Sequence, residues 1–133
     1  MGFGNAQTGA STSYDRHLYM TNAGKIIFGV QPGTATTVAS PASYNDGTWH
    51  QAVATLSPAG MQLYVDGNLT ASNASVTTAM SASSGHLRIA YDNLSGWPSL
   101  PTSPFFAGTL DDVAFYTSAL TATQVAAQYA AGT

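Results

Sequence analysis

Residues 48–71 read TWHQAVATLSPAGMQLYVDGNLTA, and the pattern of this stretch decides the fold. Successive side chains of a strand point to opposite faces. Trp49, Gln51, Val53 and Thr55 therefore share one face of a first run, with His50, Ala52, Ala54 and Leu56 on the other. Met61, Leu63 and Val65 share a face of a second run, with Gln62 and Tyr64 opposite. Pro58, Ala59 and Gly60 join the two runs, and the second ends in Asp66-Gly67. That dipeptide is a strong hairpin signal, because a tight turn needs positive φ, where glycine has no steric penalty.

The neighbouring sequence extends the same theme. Residues 17–20 and 25–30 are β-prone and flank an Asn/Gly-bearing turn at Thr21, Asn22, Ala23 and Gly24. Residues 36–39 predict a weaker strand stopped by Pro41. Leu87, Ile89 and Tyr91 make another alternating face, and residues 110–116 predict the last strand. Residues 72–85, rich in Ser, Ala and Thr, read as a loop between sheets. Residues 92–105 (DNLSGWPSLPTSPF) contain Pro98, Pro101 and Pro104 and read as a surface loop, since proline cannot donate to a central ladder. The period then changes. Thr121 and Gln124 fit a capping box, Leu120 and Val125 fit a hydrophobic staple, and Val125 and Tyr129 share one face of a short helix ending near Gly132. Short strands separated by turns predict an all-β sandwich.

Composition narrows what such a sandwich can do. The chain has 133 residues, enough for one domain with one core. Only 7% of its residues are charged, the net charge is -3, and Arg16, Lys25 and Arg88 are the only lysines or arginines. Three scattered cations make neither a nucleic-acid surface nor a polybasic membrane patch. No apolar run is long enough to span a membrane, and the N-terminus does not read as a signal peptide. With no cysteine there is no disulfide framework, and solubility rests on Ser, Thr, Asn and Gln. All six acidic residues are aspartates, at positions 15, 46, 66, 92, 111 and 112.

The segments GTWHQAVATL, MQLYVDGNLTAS, LRIAY and FFAGTLDDVAFYTSALTATQVAAQY, in that order and spacing, closely resemble laminin-G-like modules of the concanavalin A-like lectin/glucanase superfamily. They look most like the modules of large secreted bacterial proteins. The resemblance implies a single jelly-roll β-sandwich over residues 1–133, made of two antiparallel sheets with a short C-terminal helix. It implies an extracellular or cell-surface setting and a non-catalytic role in binding glycan, cell-surface or matrix polymer. Relatives often carry calcium at the sandwich rim. In one respect the chain departs from the pattern. Relatives usually open with one or two strands ahead of the segment that here begins GFGNAQTG, so this chain starts inside a strand. An uncovered sheet edge is a template for pairing. The alternative expectation is therefore a structural or assembly subunit that uses the open edge for strand exchange, self-association or polymerisation.

Few residues of this chain carry catalytic or ligand-binding chemistry. The superfamily's hydrolases use two glutamates on one strand, and this chain has no glutamate. Asp111 and Asp112 are adjacent, so in a strand they point to opposite faces and cannot flank one glycosidic bond. His17, His50 and His86 lie in different runs, and no nucleophile elbow is present. The expectation is no enzyme. Calcium takes six to eight oxygen ligands, and the best local candidates are Asp92 and Asn93, with Asp15 or Asp112 as second contributors. For carbohydrate, the segment around Trp97 supplies an aromatic with Tyr91, Asp92 and Asn93 nearby, and Tyr14 and Arg16 can join from an early loop. Trp97 is read either as a platform for sugar or as a hydrophobic plug on the sandwich. Trp49, within the strand pattern, reads as core packing.

Overall fold

The structure is a computed structural model and describes residues 1–81 and 84–132. Among these, the strands are β1 (Gly2–Gly4), β2 (Tyr14–Asp15), β3 (His17–Met20), β4 (Ile26–Val30), β5 (Thr36–Ala39), β6 (Ala52–Ser57), β7 (Gly60–Val65), β8 (Asn68–Asn73) and β9 (His86–Arg88), followed by helix α1 (Ala122–Gly132). They form three antiparallel three-stranded ladders, ordered β2-β1-β9, β3-β4-β5 and β6-β7-β8.

The first two ladders are one sheet in practice. Phe3 pairs with Asp15 and Gly4 with Tyr14; continuing that register would set Met1 against His17. Instead Met1 exchanges two backbone hydrogen bonds with Leu18, each of 2.8 Å. The extra residue is Arg16, whose φ of 54° marks a bulge between β2 and β3. The sheet thus runs β9-β1-β2/β3-β4-β5 and forms one layer of a sandwich, with β6-β7-β8 as the other.

Strand β4 is central and fully buried. Ile26, Phe28 and Val30 face the second layer, packing with Val38, Met61, Leu63 and Val65. Ile27 faces the other way, into a cluster with Tyr19, Leu94 and Trp97. Burying a side chain of this size stabilises by roughly 1.5–3 kcal/mol, so β4 is anchored from both sides. The hairpin of the opening stretch forms as read: residues 52–57 pair with residues 60–65 from Ala52↔Val65 to Ser57↔Gly60. Asp66 and Gly67, at φ 51° and 75°, make the turn into β8 with the left-handed geometry expected of Asp-Gly. Helix α1 is capped as expected. Thr121 N–H donates to Gln124 Oε1 at 2.8 Å, and Gln124 N–H donates to Thr121 Oγ1 at 3.3 Å. Val125 is fully buried, and Ala126 and Tyr129 lie against Gly67, so the helix closes over the β7–β8 turn.

Four expectations are corrected. Residues 110–116 form no strand: Leu110, Val113, Phe115 and Tyr116 are exposed. Pairing with the β9 arm stops at the Tyr91↔Phe105 bridge and the Phe106 N–H to Ala90 carbonyl bond of 2.7 Å. A strand needs a neighbour, and none is offered past Phe106. Trp49 lies ahead of β6 and is 68% exposed, so it does not pack in the core. The alternating run of Leu87, Ile89 and Tyr91 is strand only over His86–Arg88, with an isolated bridge at Tyr91, and Leu87 and Ile89 are each about half exposed. Tyr14 and Asp15, read as loop, are drawn into strand by pairing with β1. Of the loop expected at 72–85, residues 72 and 73 belong to β8, the loop begins at Ala74, and residues 82 and 83 lie outside the described residues.

Candidate functional site

A groove of about 230 Å³ lies beside the bulge at Arg16, lined by Thr12, Ser13, Tyr14, Gln31, Ala35, Met80, Ser95, Gly96 and Trp97. Its construction starts with Trp97. Among the described residues there is no Cβ to block the ring at Gly29, and a methyl there would collide with Trp97 itself. The indole therefore lies down on β4 and meets the edge of His17, with ring centroids 4.5 Å apart at 79°. Trp97 N–H donates to the Leu94 carbonyl at 3.0 Å, which fixes the loop that carries it. Trp97 is only 4% exposed, and the part that shows lines the groove.

Tyr14 makes a wall. Its hydroxyl donates to the Ser95 carbonyl at 2.7 Å, joining the bulged strand to the Trp97 loop across 81 residues of sequence. Asp15, on the opposite face of the same strand, is fully buried. Its carboxylate accepts N–H bonds from Gln31 and Met80 and pairs with Arg16 at 3.1 Å. Arg16 also donates to the Met80 carbonyl at 3.2 Å. One carboxylate thus holds two groove-lining segments in place, with their side chains turned to the opening. The resulting surface combines aromatic and thioether groups with hydroxyls and one amide. Such a surface suits an uncharged polar ligand, because hydroxyls and amides both donate and accept while ring faces take C–H patches.

Of the expected sugar contacts, the structure brings Tyr14 and Trp97 into the groove, with Arg16 beside it. Tyr91 sits elsewhere, stacked on Phe105 at 4.5 Å between centroids and covered by the Arg88 guanidinium at 4.5 Å. Asn93 is occupied in building: its Nδ2 donates to the Ser11 carbonyl at 2.8 Å, and its Oδ1 accepts from Ser95 N–H at 3.0 Å. Asp92 is buried beside His17, with Nδ1 and Oδ2 3.9 Å apart, and its Oδ1 accepts the Asn93 N–H. Gln31, Thr12, Ser13 and Ser95 were missed as groove residues; only the polar run ahead of Tyr14 hinted at them.

Of the expected calcium residues, Asp15 and Asp92 are buried, Asn93 is half-buried and Asp112 is exposed. The Asp15 carboxylate is spent on two N–H groups and a guanidinium; Asn93 Oδ1 and Asp92 Oδ1 accept N–H groups of the Trp97 loop, while Asp92 Oδ2 is buried beside His17 without a hydrogen-bond partner among the described residues. Asp112 is exposed on the unpaired segment, its N–H held by the Asp111 carboxylate at 2.9 Å. Among the described residues, no group of three or more His, Asp, Glu or Cys side chains is placed to hold a metal ion.

The histidines differ sharply. His17 is fully buried, and burial together with the N-terminal ammonium pushes its pKa down to about 4. His50 bridges two turns. Its Nδ1 meets Asp66 Oδ2 at 2.8 Å, and its Nε2 meets Asp46 Oδ1 at 3.1 Å and Thr48 Oγ1 at 3.0 Å. The Thr48–His50–Asp66 order is that of a nucleophilic triad, yet the Thr48 hydroxyl already donates to Asp46 at 2.8 Å. The hydrogen bond to Asp66, then that to Asp46, raises the His50 pKa. This cluster is a clasp between turns.

Fold and groove together define an all-β sandwich scaffold with an uncharged polar rim site. The chain belongs to the concanavalin A-like lectin/glucanases superfamily: a laminin-G-type family model matches residues 3–126. Among solved structures, it is similar to an S-layer domain-containing protein (residues 221–444) from Clostridium thermocellum ATCC 27405. The TM-score is 0.52 with 24% identity over 80% of this chain and 52% of that one. This chain thus spans about half the length of that relative. No curated protein matches it. No helix among the described residues is long and apolar enough to cross a membrane.

Proposed function

We propose that this chain is a non-catalytic binding module that recognises a neutral glycan, or the sugar units of a cell-surface or matrix polymer, in the groove between Tyr14 and the Trp97 loop. The observation that carries the reading is the lining: Tyr14 and Trp97 beside Thr12, Ser13, Gln31 and Ser95, with no charged side chain among the lining residues. At about 230 Å³ the groove is smaller than the roughly 300–1,000 Å³ of pockets for drug-sized ligands, which favours a short unit of a longer chain. The low-charge Ser/Thr/Asn surface supports an extracellular setting, and superfamily membership supports binding over catalysis.

The test is a glycan array that includes neutral oligosaccharides and bacterial envelope polysaccharides, followed by calorimetry on each hit. The proposal expects selective binding that Gln31→Ala and Tyr14→Ala each weaken by about tenfold, or ~1.4 kcal/mol. Gln31→Ala is the cleaner variant, because the tie to Asp15 uses its backbone N–H. Absence of binding across the array, or binding indifferent to both substitutions, would overturn the reading.

A further inference from the structure

The segment past Phe106 carries the chemistry of a strand without a partner. Among the described residues, no backbone hydrogen bond ties 107–116 to either layer. Its Val113, Phe115 and Tyr116 are side chains that favour a pleated, half-buried surface. The segment also borders a concavity of about 440 Å³ where Phe106 faces Trp49 and Tyr44. Trp49, Phe106, Leu110, Val113, Phe115 and Tyr116 are 38–68% exposed. A monomeric surface rarely leaves so many large apolar groups in water.

We propose that this face is an interface between two copies of the chain, which pair their 110–116 segments antiparallel about a two-fold axis and bury Trp49 and Phe106 beside the new ladder. Three observations favour a second copy as the occupant. The first is area. With about half of each such side chain available, the six offer on the order of 600 Å² per copy, so two copies reach the ~1,200 Å² at which specific interfaces begin. The second is register. Centred on Val113, the ladder sets Leu110 against Tyr116, Asp111 against Phe115 and Asp112 against Ala114, so no carboxylate opposes another. Centring on Asp111 or Asp112 would place like charges opposite, which is unfavourable, so those registers are disfavoured against the one centred on Val113. The third is the net charge of only -3, which leaves little repulsion between copies. Pairing requires Asp112 to leave its φ of 50° for the extended region, a small change for a residue type that visits either.

Sedimentation velocity and light scattering on the full chain, from micromolar to millimolar, test this directly. A concentration-dependent dimer is expected, with the dissociation constant raised at least about tenfold by Val113→Lys or Phe115→Ser. Leu100→Lys, at an exposed site on the proline-rich loop, should leave it within about twofold. Both interface positions are exposed in the single copy, so circular dichroism should show each variant folded. Trp49 should also become shielded from acrylamide as the dimer forms. A monomer at every concentration, or a dimer indifferent to Val113→Lys and Phe115→Ser, overturns the proposal. So does a monomer that binds an unrelated strand peptide at this segment, which would make the face a receptor for foreign strands.

Discussion

Replacing Gly29 by alanine tests the central claim about the groove, that β4 carries the Trp97 ring directly on its backbone. An ideal Cβ at Gly29 would stand 2.8 Å from Thr37 Cγ2 and 3.0 Å from Trp97 Cε3, and would collide with Trp97 Cζ3. None of these neighbours can retreat easily. Thr37 is the cross-strand partner of Gly29, and the Trp97 ring is braced by the His17 edge. Overpacking of this kind costs about 1–3 kcal/mol; complete expulsion of the ring would approach the ~3–5 kcal/mol of losing a buried aromatic. Gly29 has no positive φ, so alanine also lowers the entropy of the unfolded chain, which offsets ~0.4–1 kcal/mol. The expected net loss is about 1–2 kcal/mol. The assay exploits the two tryptophans, one 4% and one 68% exposed. In a Trp49→Phe background at a concentration where the chain is monomeric, Trp97 is the sole reporter. Gly29→Ala should lower the urea midpoint, red-shift the native emission and increase acrylamide quenching. Gly33→Ala is the control, since no atom lies within 4 Å of a Cβ built there. Equal stability and equal quenching in Gly29→Ala and its parent would refute the close contact between β4 and Trp97.

Other outcomes follow from the same structure. His17 has an ordinary pKa near 6.5 when unfolded and about 4 when folded, so the unfolded chain binds more protons between those values. Stability is therefore full above pH 6.5 and falls by about 3 kcal/mol as pH drops to 4; urea titrations should show this slope, and His17→Asn should flatten it. Thr121→Ala removes the capping hydroxyl and should cost about 1 kcal/mol, read as a lowered urea midpoint with the strand signal in circular dichroism retained. Because no carboxylate lines the groove, EDTA should leave glycan affinity within about twofold (under ~0.5 kcal/mol). A larger loss by calorimetry would show that a metal takes part.

What could be read in advance follows the range of the forces involved. The 48–71 hairpin was legible because its information is local: alternation selects the faces, and Asp66-Gly67 selects the turn. The helix was legible for the same reason, with its cap and staple confined to residues 120–125. Residues 110–116 have equally good local credentials and still form no strand, because a strand also needs a neighbour and no residue within it specifies one. Trp49 failed with them. The groove was half legible. Trp97 stood out by its setting between Gly96 and Pro98, but whether it would project or lie flat depended on Gly29, in another strand. Tyr14 meets that loop only because a bulge at Arg16 realigns the ladder, and nothing near Arg16 announces a left-handed residue. Asp15 and Asp92 looked like ligand carboxylates because composition records what a residue can do. It does not record which backbone amides will already have claimed it.

The sharing of β4 between two apolar clusters has a thermodynamic consequence. Its odd and even side chains belong to different clusters, so neither cluster can come apart without exposing a strand the other depends on. The two should melt as one cooperative unit, and amide protons of Ile26, Ile27 and Phe28 should exchange with deuterium only through global opening. A ligand held at Tyr14 and Trp97 then acts on the whole transition. At a hundred times its dissociation constant it would add about 2.7 kcal/mol to the unfolding free energy. A thermal-shift screen across carbohydrate libraries would detect such a ligand without any label, reporting occupancy at the rim through the collapse of the entire sandwich.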